Sequence, residues 1–531
     1  MTTTLKTSFA TFKGKKQDGV IQYLGVKYAS LSNQLSVPEM VTEYGNGIVD
    51  ATAFGPRCVA KDACDIEQNM LIQKSIGIPT PPPMSGIDSL NLNITVPDIE
   101  TKRQLPVLVF IHGGGFLMGS SHWPQYDPSR LVKLSVDTES PVIAININYR
   151  LRVLGNLTSE ELRKAGYPGN NSLRDQKCAL QWIKKHISDF GGDPDNVTAF
   201  GESAGAVSVL CQLLSQDPLF KRGISMAGTP IMLKPLPLPV TEMAYGMVLK
   251  ALDLEDATPE ERVQRLITVQ PDELVAKIPL TIPLLPYLDG DVIPEQTTFE
   301  KLASVGMDSS TPGRQWCSDL MIGDCQHDGS VFFFMGLAER KSGIAIALSN
   351  SFRKNFADPS AAEAVLEAYS ITTTTDDDTA LKQIMNLVTD VAYYAPALAY
   401  AKSWPGKAYY YNFNELNPWD GALKGLSTHL LDAVFLFQNY NEHLTEEARQ
   451  VAVTMARDFI KFANGLEPWK QFNKEAGGTK VYGPSETSIE KFTDGQGWGQ
   501  GRRDTLFRLE REGKLNLDEL SVAWDLFIAG Q

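Results

Sequence analysis

Three features of the chain predict an α/β fold with a mainly parallel central sheet. Val107–Ile111 and Val142–Ile145 are short, continuous apolar runs, the pattern of strands covered on both faces. Asn171 to Ile187 carries Leu173, Cys178, Leu180 and Ile183 among the apolar positions of an amphipathic helix. Val197-Thr198-Ala199-Phe200 reads as a strand that turns through Gly201-Glu202-Ser203-Ala204-Gly205 into a second helix ending near Leu214. Strand, helix, strand, helix in this order indicates a sheet with crossover helices.

The remaining elements follow in chain order. Gly19 to Ala29 is strand-rich, and Cys58 to Pro83 reads as a long loop ending in a proline cluster. Leu90 to Val96 alternates and is expected to be a half-exposed strand. A turn is expected at Gly191 to Asn196, ahead of the strand Val197–Phe200. Lys234 to Pro239, with proline at alternate positions, is incompatible with a helix or a central strand. It is expected to be an extended connection into helices over 241–252 and 259–269, an insertion covering the site. Leu320–Gly323 and Lys407–Phe413 are strands, Thr372 to Asp378 a solvated loop, and Glu446 to Asn464 a helix. With no repeat and no linker, residues 1–531 are expected to form one domain.

Bulk composition narrows the class of function. Acidic residues number 63 against 49 basic ones, a formal charge of -14, which argues against nucleic acid or an anionic membrane as partner. No apolar run reaches the ~20 residues of a membrane span, and Met1 to Lys16 holds none of signal-peptide length. The six cysteines contain no C-x-x-C pair, so no zinc site is implied; a reduced, cytoplasmic protein is expected. The sequon Asn93-Ile94-Thr95 then carries no meaning.

The turn at Gly201 to Gly205 has the G-x-S-x-G form that presents a serine hydroxyl between a strand and a helix. The helix start behind Ser203 offers unpaired N–H groups to a developing negative charge. Upstream, His112-Gly113-Gly114-Gly115-Phe116 exposes successive backbone N–H groups, as an oxyanion hole requires, although a plain glycine turn would read the same way.

A serine nucleophile needs a base, and the base needs a carboxylate. Only six histidines are present. His112 heads the glycine run, His186 is on the amphipathic helix, and His122 and His443 have no special setting. His327 adjoins an acid and is the main rival; His429 lies late in the chain, after a strand and a short loop. Ser203, Asp328 and His429 obey the α/β-hydrolase order of nucleophile, acid and histidine. Asp324 is the substitute acid, and Asp432 a brace for the histidine loop.

Taken together, Tyr23 to Ala29, Leu90 to Asn93, His112 to Phe116, Asn148-Tyr149-Arg150, Phe200 to Gly205, Asp328-Gly329-Ser330 and His429 resemble the type-B carboxylesterase/lipase family, which includes the cholinesterases. Phe435 to Asn439 resembles fungal members. The resemblance implies an α/β-hydrolase fold with cap-like insertions. It also implies an oxyanion hole formed by the N–H groups of Gly114, Gly115 and Ala204, with Glu202 shaping the field beside the nucleophile. Asp328 stands where the family more often has glutamate. Ser89 replaces a cysteine of a family disulfide, leaving Cys58 unpaired or bridged to Cys64. The implied activity is hydrolysis of a small organic ester through an acyl-enzyme, with no cofactor or metal. Lactone opening, acyl transfer or elimination at the same site is the alternative, and a non-catalytic binding protein a third.

Overall fold

The computed structural model describes every residue except 46, 305–310, 486–489 and 494–501. Among the described residues, thirteen strands form one mixed sheet. Its parallel centre is Ile143–Ile147, Leu105–Ile111, Gly192–Glu202, Arg222–Met226, Asp319–Cys325, Lys407–Phe413 and Thr479–Tyr482, in that spatial order. Antiparallel strands finish both edges, beginning with Asn91–Pro97 on one side and Glu490–Thr493 on the other.

The apolar runs are continuous because the centre of the sheet is buried from both sides. Along Leu105–Ile111, Val107, Val109 and Ile111 join a core cluster with Trp182, Ile183 and Leu173 of the helix Asn171–His186. Leu108 and Phe110 point the other way and pack with Phe200, Phe437 and Met455. The period of 2 is intact; both faces are apolar.

Register brings the functional segments together. Gly201 lies opposite Ile111 on one side and Ser225 on the other. Glu202, Met226, Gly323 and Tyr411 are aligned across four strands. The glycine run after Ile111, the turn after Glu202 and the loop after Cys325 therefore leave the sheet at the same end, the carboxyl ends of parallel strands, where α/β proteins place their ligands. A bridge between His327 and Thr428 then draws the His429 loop onto the Asp328 loop.

Several local expectations are corrected. Within the expected loop at 58–83, Cys64–Ile66 and Glu67–Ile72 are helical, held by tertiary hydrogen bonds of Glu67 and Gln68 to Gln125. The alternating strand Asn91–Pro97 is wholly buried: Asn91 donates to Pro56 O, and Asn93 to Ser121, so loops cover its polar face. Gly192 already pairs with Leu105, and the expected turn is an irregularity between Gly192 and Val197. The proline-rich stretch enters a helix earlier than expected, at Leu238, with Pro239 in the first turn, where a missing N–H costs nothing. Apolar side chains of this helical insertion gather with Val153, Leu154, Leu157 and Leu162 in a cluster of their own. The polar tract ends in an N-cap, Asp376, that starts the helix Asp377–Val388. All six cysteines are free and buried, so Cys58 and Cys64 are not bridged. No helix among the described residues is long and apolar enough to cross a membrane.

Candidate active site

Ser203 sits between the strand Gly192–Glu202 and the helix Ala204–Gln212 with φ 55° and ψ −123°. A non-glycine residue is costly there, and the strain is held by its surroundings. The Ser203 N–H donates to Met226 O at 2.9 Å, and its carbonyl accepts from Val207 at 3.0 Å. Two glycines make the turn possible by close approach. A methyl group on Gly201 would lie 2.3 Å from the carbonyl carbon of Gly205, and one on Gly205 would lie 1.9 Å from Ile111 O.

The glycine run curls over this turn. A methyl on Gly113 would meet Glu202 O at 2.7 Å and Ser203 Cβ at 3.1 Å, which places the run directly against the serine. Gly114 and Gly115 follow with φ 92° and 64°. Among the described residues, the N–H groups of Gly114, Gly115 and Ala204 donate no hydrogen bond. Three unspent donors on the two segments that meet at Ser203 suit a developing oxyanion.

His429 and Asp328 meet as the chain order suggested. His429 Nδ1 lies 2.8 Å from Asp328 Oδ1, and Asp328 Oδ2 accepts from the Cys325 N–H at 2.7 Å. The other ring nitrogen, Nε2, lies 3.2 Å from Glu202 Oε1, beside the serine in sequence. The Ser203 hydroxyl itself makes no hydrogen bond among the described residues. His429, Asp328 and Glu202 are all buried.

Electrostatics keep the imidazole neutral. Burial lowers the His429 pKa to about 4, against the pull of Asp432 and Glu67. Burial also raises Glu202 well above the carboxylate range, reinforced by Asp432, Glu67 and Asp328. Lowering of the ring and raising of Glu202 both favour their uncharged forms, so the 3.2 Å approach is a close contact of two desolvated groups rather than a strong ion pair, and Glu202 Oε1 makes no hydrogen bond among the described residues. Burial and the charge of Asp324 push Asp328 up, while the Cys325 N–H and Arg503 oppose them.

The rival residues are engaged elsewhere. Asp324 accepts from Tyr410 and Asn412 and pairs with Arg503, so it is not held ready as a substitute acid. His327 is half-buried with its pKa lowered to about 4, desolvation the main cause, and its Nδ1 has no partner among the described residues. Asp432 accepts from the Tyr411 hydroxyl at 2.8 Å and from Ala433 N, fixing the turn after His429 as a brace should. Phe116 and Met226 are fully buried scaffold. Glu67 escaped sequence reasoning. Its carboxylate accepts from Gln125 at 2.8 Å and Tyr126 at 2.6 Å, and its pKa is raised to about 7 by burial. Nothing local in a proline-rich loop marks it. No group of three or more His, Cys, Asp or Glu side chains among the described residues is arranged to hold a metal ion.

Comparisons with known proteins show the family and the fold. Residues 1–493 match the model of the carboxylesterase family. Para-nitrobenzyl esterase of Bacillus subtilis (strain 168) is 29% identical over 518 residues, covering 91% of this chain and 95% of that protein. A solved structure of PNB esterase superimposes with a TM-score of 0.73 at 26% identity, covering 97% of this chain and 99% of the other, and shows the same α/β-hydrolase fold. The inactive carboxylesterase-like protein VdtD of Byssochlamys spectabilis is 33% identical over 231 residues, 42% of this chain and 37% of its own.

Proposed function

The chain belongs to the carboxylesterase family, and from that premise we propose that it hydrolyses small organic esters through an acyl-enzyme on Ser203. The observation that carries the reading is the placement of the His429 imidazole. Asp328 holds one nitrogen at 2.8 Å, and the other is presented to the residue that precedes Ser203.

In this reading His429 Nε2 takes the Ser203 proton as the oxygen attacks the ester carbonyl. That requires the ring to exchange its Glu202 contact for the serine hydroxyl while Asp328 holds its other nitrogen. The N–H groups of Gly114, Gly115 and Ala204 receive the oxyanion. The imidazolium is stabilised by Asp328 and returns its proton to the departing alcohol; water then repeats the sequence on the acyl-enzyme. A lactone or an acceptor other than water fits the same chemistry. The six free, buried thiols support a reducing, cytoplasmic setting.

The test is turnover of p-nitrophenyl esters. Ser203→Ala is expected to remove it to background, and pre-steady-state mixing to show a burst of one alcohol per site. Turnover undiminished in Ser203→Ala overturns the assignment. A burst without steady turnover, restored by adding an alcohol or amine, identifies an acyl transferase.

A further inference from the structure

Past residue 493, where the family match ends, the chain sends two arginines back to the sheet. Arg503 is 2% exposed; its guanidinium pairs with Asp324 and lies 4.7 Å over the Tyr394 ring. Asp324 is fully buried at the end of the strand Asp319–Cys325 and also accepts from Tyr410 Oη at 2.6 Å and Asn412 Nδ2 at 2.7 Å. The next residue, Cys325, supplies the N–H that binds Asp328 Oδ2. Arg502 donates to Gln326 O at 2.9 Å and pairs with Asp390 at 3.4 Å. The segment 324–328 thus carries two buried carboxylates four residues apart, and both arginines contact it, Arg503 at Asp324 and Arg502 at Gln326 O.

We infer that Arg503 is a positioning residue for the reaction: by pairing with Asp324 it cancels the extra negative charge next to the Asp328–His429 couple and so preserves the balance of protons at the site. The inference rests on the assignment of Ser203, Asp328 and His429 made above. The titratable and charged groups near Asp328 are His429, Glu202, Asp432, Tyr393, Tyr411, Cys325, Asp324 and Arg503. Those near Asp324 are Arg503, Tyr410, Tyr394, Asp390, Cys325 and Asp328 itself. Arg503 is the cation that acts on both carboxylates: Asp324 raises the Asp328 pKa and Arg503 lowers it. A bare Asp324 charge would favour a proton on Asp328 and on the His429 ring alike, and either proton silences the base.

The experiment is the pH dependence of kcat/KM for a p-nitrophenyl ester, measured on the full chain. Arg503→Met is expected to move the acid limb upward by about one pH unit. Asp324→Asn leaves the guanidinium uncompensated and is expected to move it downward. The double variant Asp324→Asn/Arg503→Met removes both charges and returns the limb to the wild-type position, and Arg503→Lys keeps it there. Loss of kcat or thermal stability with the acid limb unmoved in Arg503→Met and Asp324→Asn shows a purely structural role and overturns the inference. If Arg503→Met does not fold, Asp324→Asn and the double variant decide the matter. Ser203→Ala run alongside separates the two readings. Full turnover there sinks the site assignment itself, whereas its loss beside an unmoved limb in Asp324→Asn sinks only the role of Arg503.

Discussion

His429 Nε2 rests 3.2 Å from Glu202 Oε1 while Asp328 holds the opposite edge of the ring. The imidazole is therefore bracketed by two buried carboxyl groups, one before the nucleophile and one more than a hundred residues downstream. Neutral ring and protonated Glu202 can share this contact without a net charge. The proton balance between them sets how the site responds to pH.

The first expectation concerns the acid limit of activity. Neutral imidazole is the working form, and burial lowers its pKa to about 4. Activity is lost as pH falls through that value, below the ordinary range of histidine near 6.5. A kcat/KM profile from pH 3.5 to 9 should show its acid limb near 4; a limb at 6.5 contradicts the burial argument.

Glu202→Gln should leave that limb in place. Glu202 is held well above its usual range by burial, so near pH 4 it already carries a proton, and glutamine copies the protonated acid. The two profiles should diverge only at higher pH, where Glu202 ionises. A displacement of the acid limb by more than about half a unit would mean that Glu202 is charged where His429 titrates.

Asp328→Asn removes the acceptor that fixes the Nδ1 proton. The ring then loses its preferred tautomer, with an expected fall in kcat of about 10⁴-fold and little change in KM. Steady-state kinetics on one ester decide it, and a loss below tenfold counts against Asp328 as the acid.

Two glycine variants should separate folding from chemistry. Gly205→Ala drives a methyl to 1.9 Å from Ile111 O, a backbone atom that cannot step aside. The variant is expected to lose several kcal/mol of stability or fail to accumulate. Gly115→Ala meets nothing closer than 3.9 Å, so only its φ of 64° is penalised, by about 1 kcal/mol. Its main effect is expected on kcat, through a displaced N–H donor. Thermal melts and ester turnover on both variants test the contrast, and equal melting losses would refute it.

Glu67→Gln should stabilise the protein at alkaline pH. The folded-state pKa of about 7 exceeds the unfolded value, so the native state binds the extra proton between roughly 4.5 and 7. Stability from this group is present at low pH and is lost as pH rises through 7. The glutamine variant avoids that loss, with a gain of about 3 kcal/mol at pH 9 and none at pH 4. Chemical denaturation at both pH values measures it, and a pH-independent difference rules the mechanism out.

Legibility in the sequence differed by kind of feature. The strand Lys407–Phe413 lies where its aromatic run was read, and the helix Asn171–His186 ends one residue from the expected boundary. Alternation in Asn91–Pro97 signalled polarity but not exposure, because loops over 56 and 121 bury the polar face and satisfy it. Ser89 shows the same limit from the other side. It lies beside Cys58, whose sulfur is 4.0 Å from Ser89 O, and its own hydroxyl has no partner among the described residues.

Order along the chain was enough to establish the apolar runs and the glycine-flanked turn at Ser203, because each depends on neighbours a few residues apart, and the order of serine, acid and histidine, because it needs only their succession. The three-dimensional packing alone decided which polar atoms meet: Nε2 with Glu202, Glu67 with Tyr126, and Arg503 with Asp324 across 179 residues. Those encounters follow from strand register and loop closure, which bring distant residues into one dry volume where each charge must find a partner. No periodicity in the chain records that requirement.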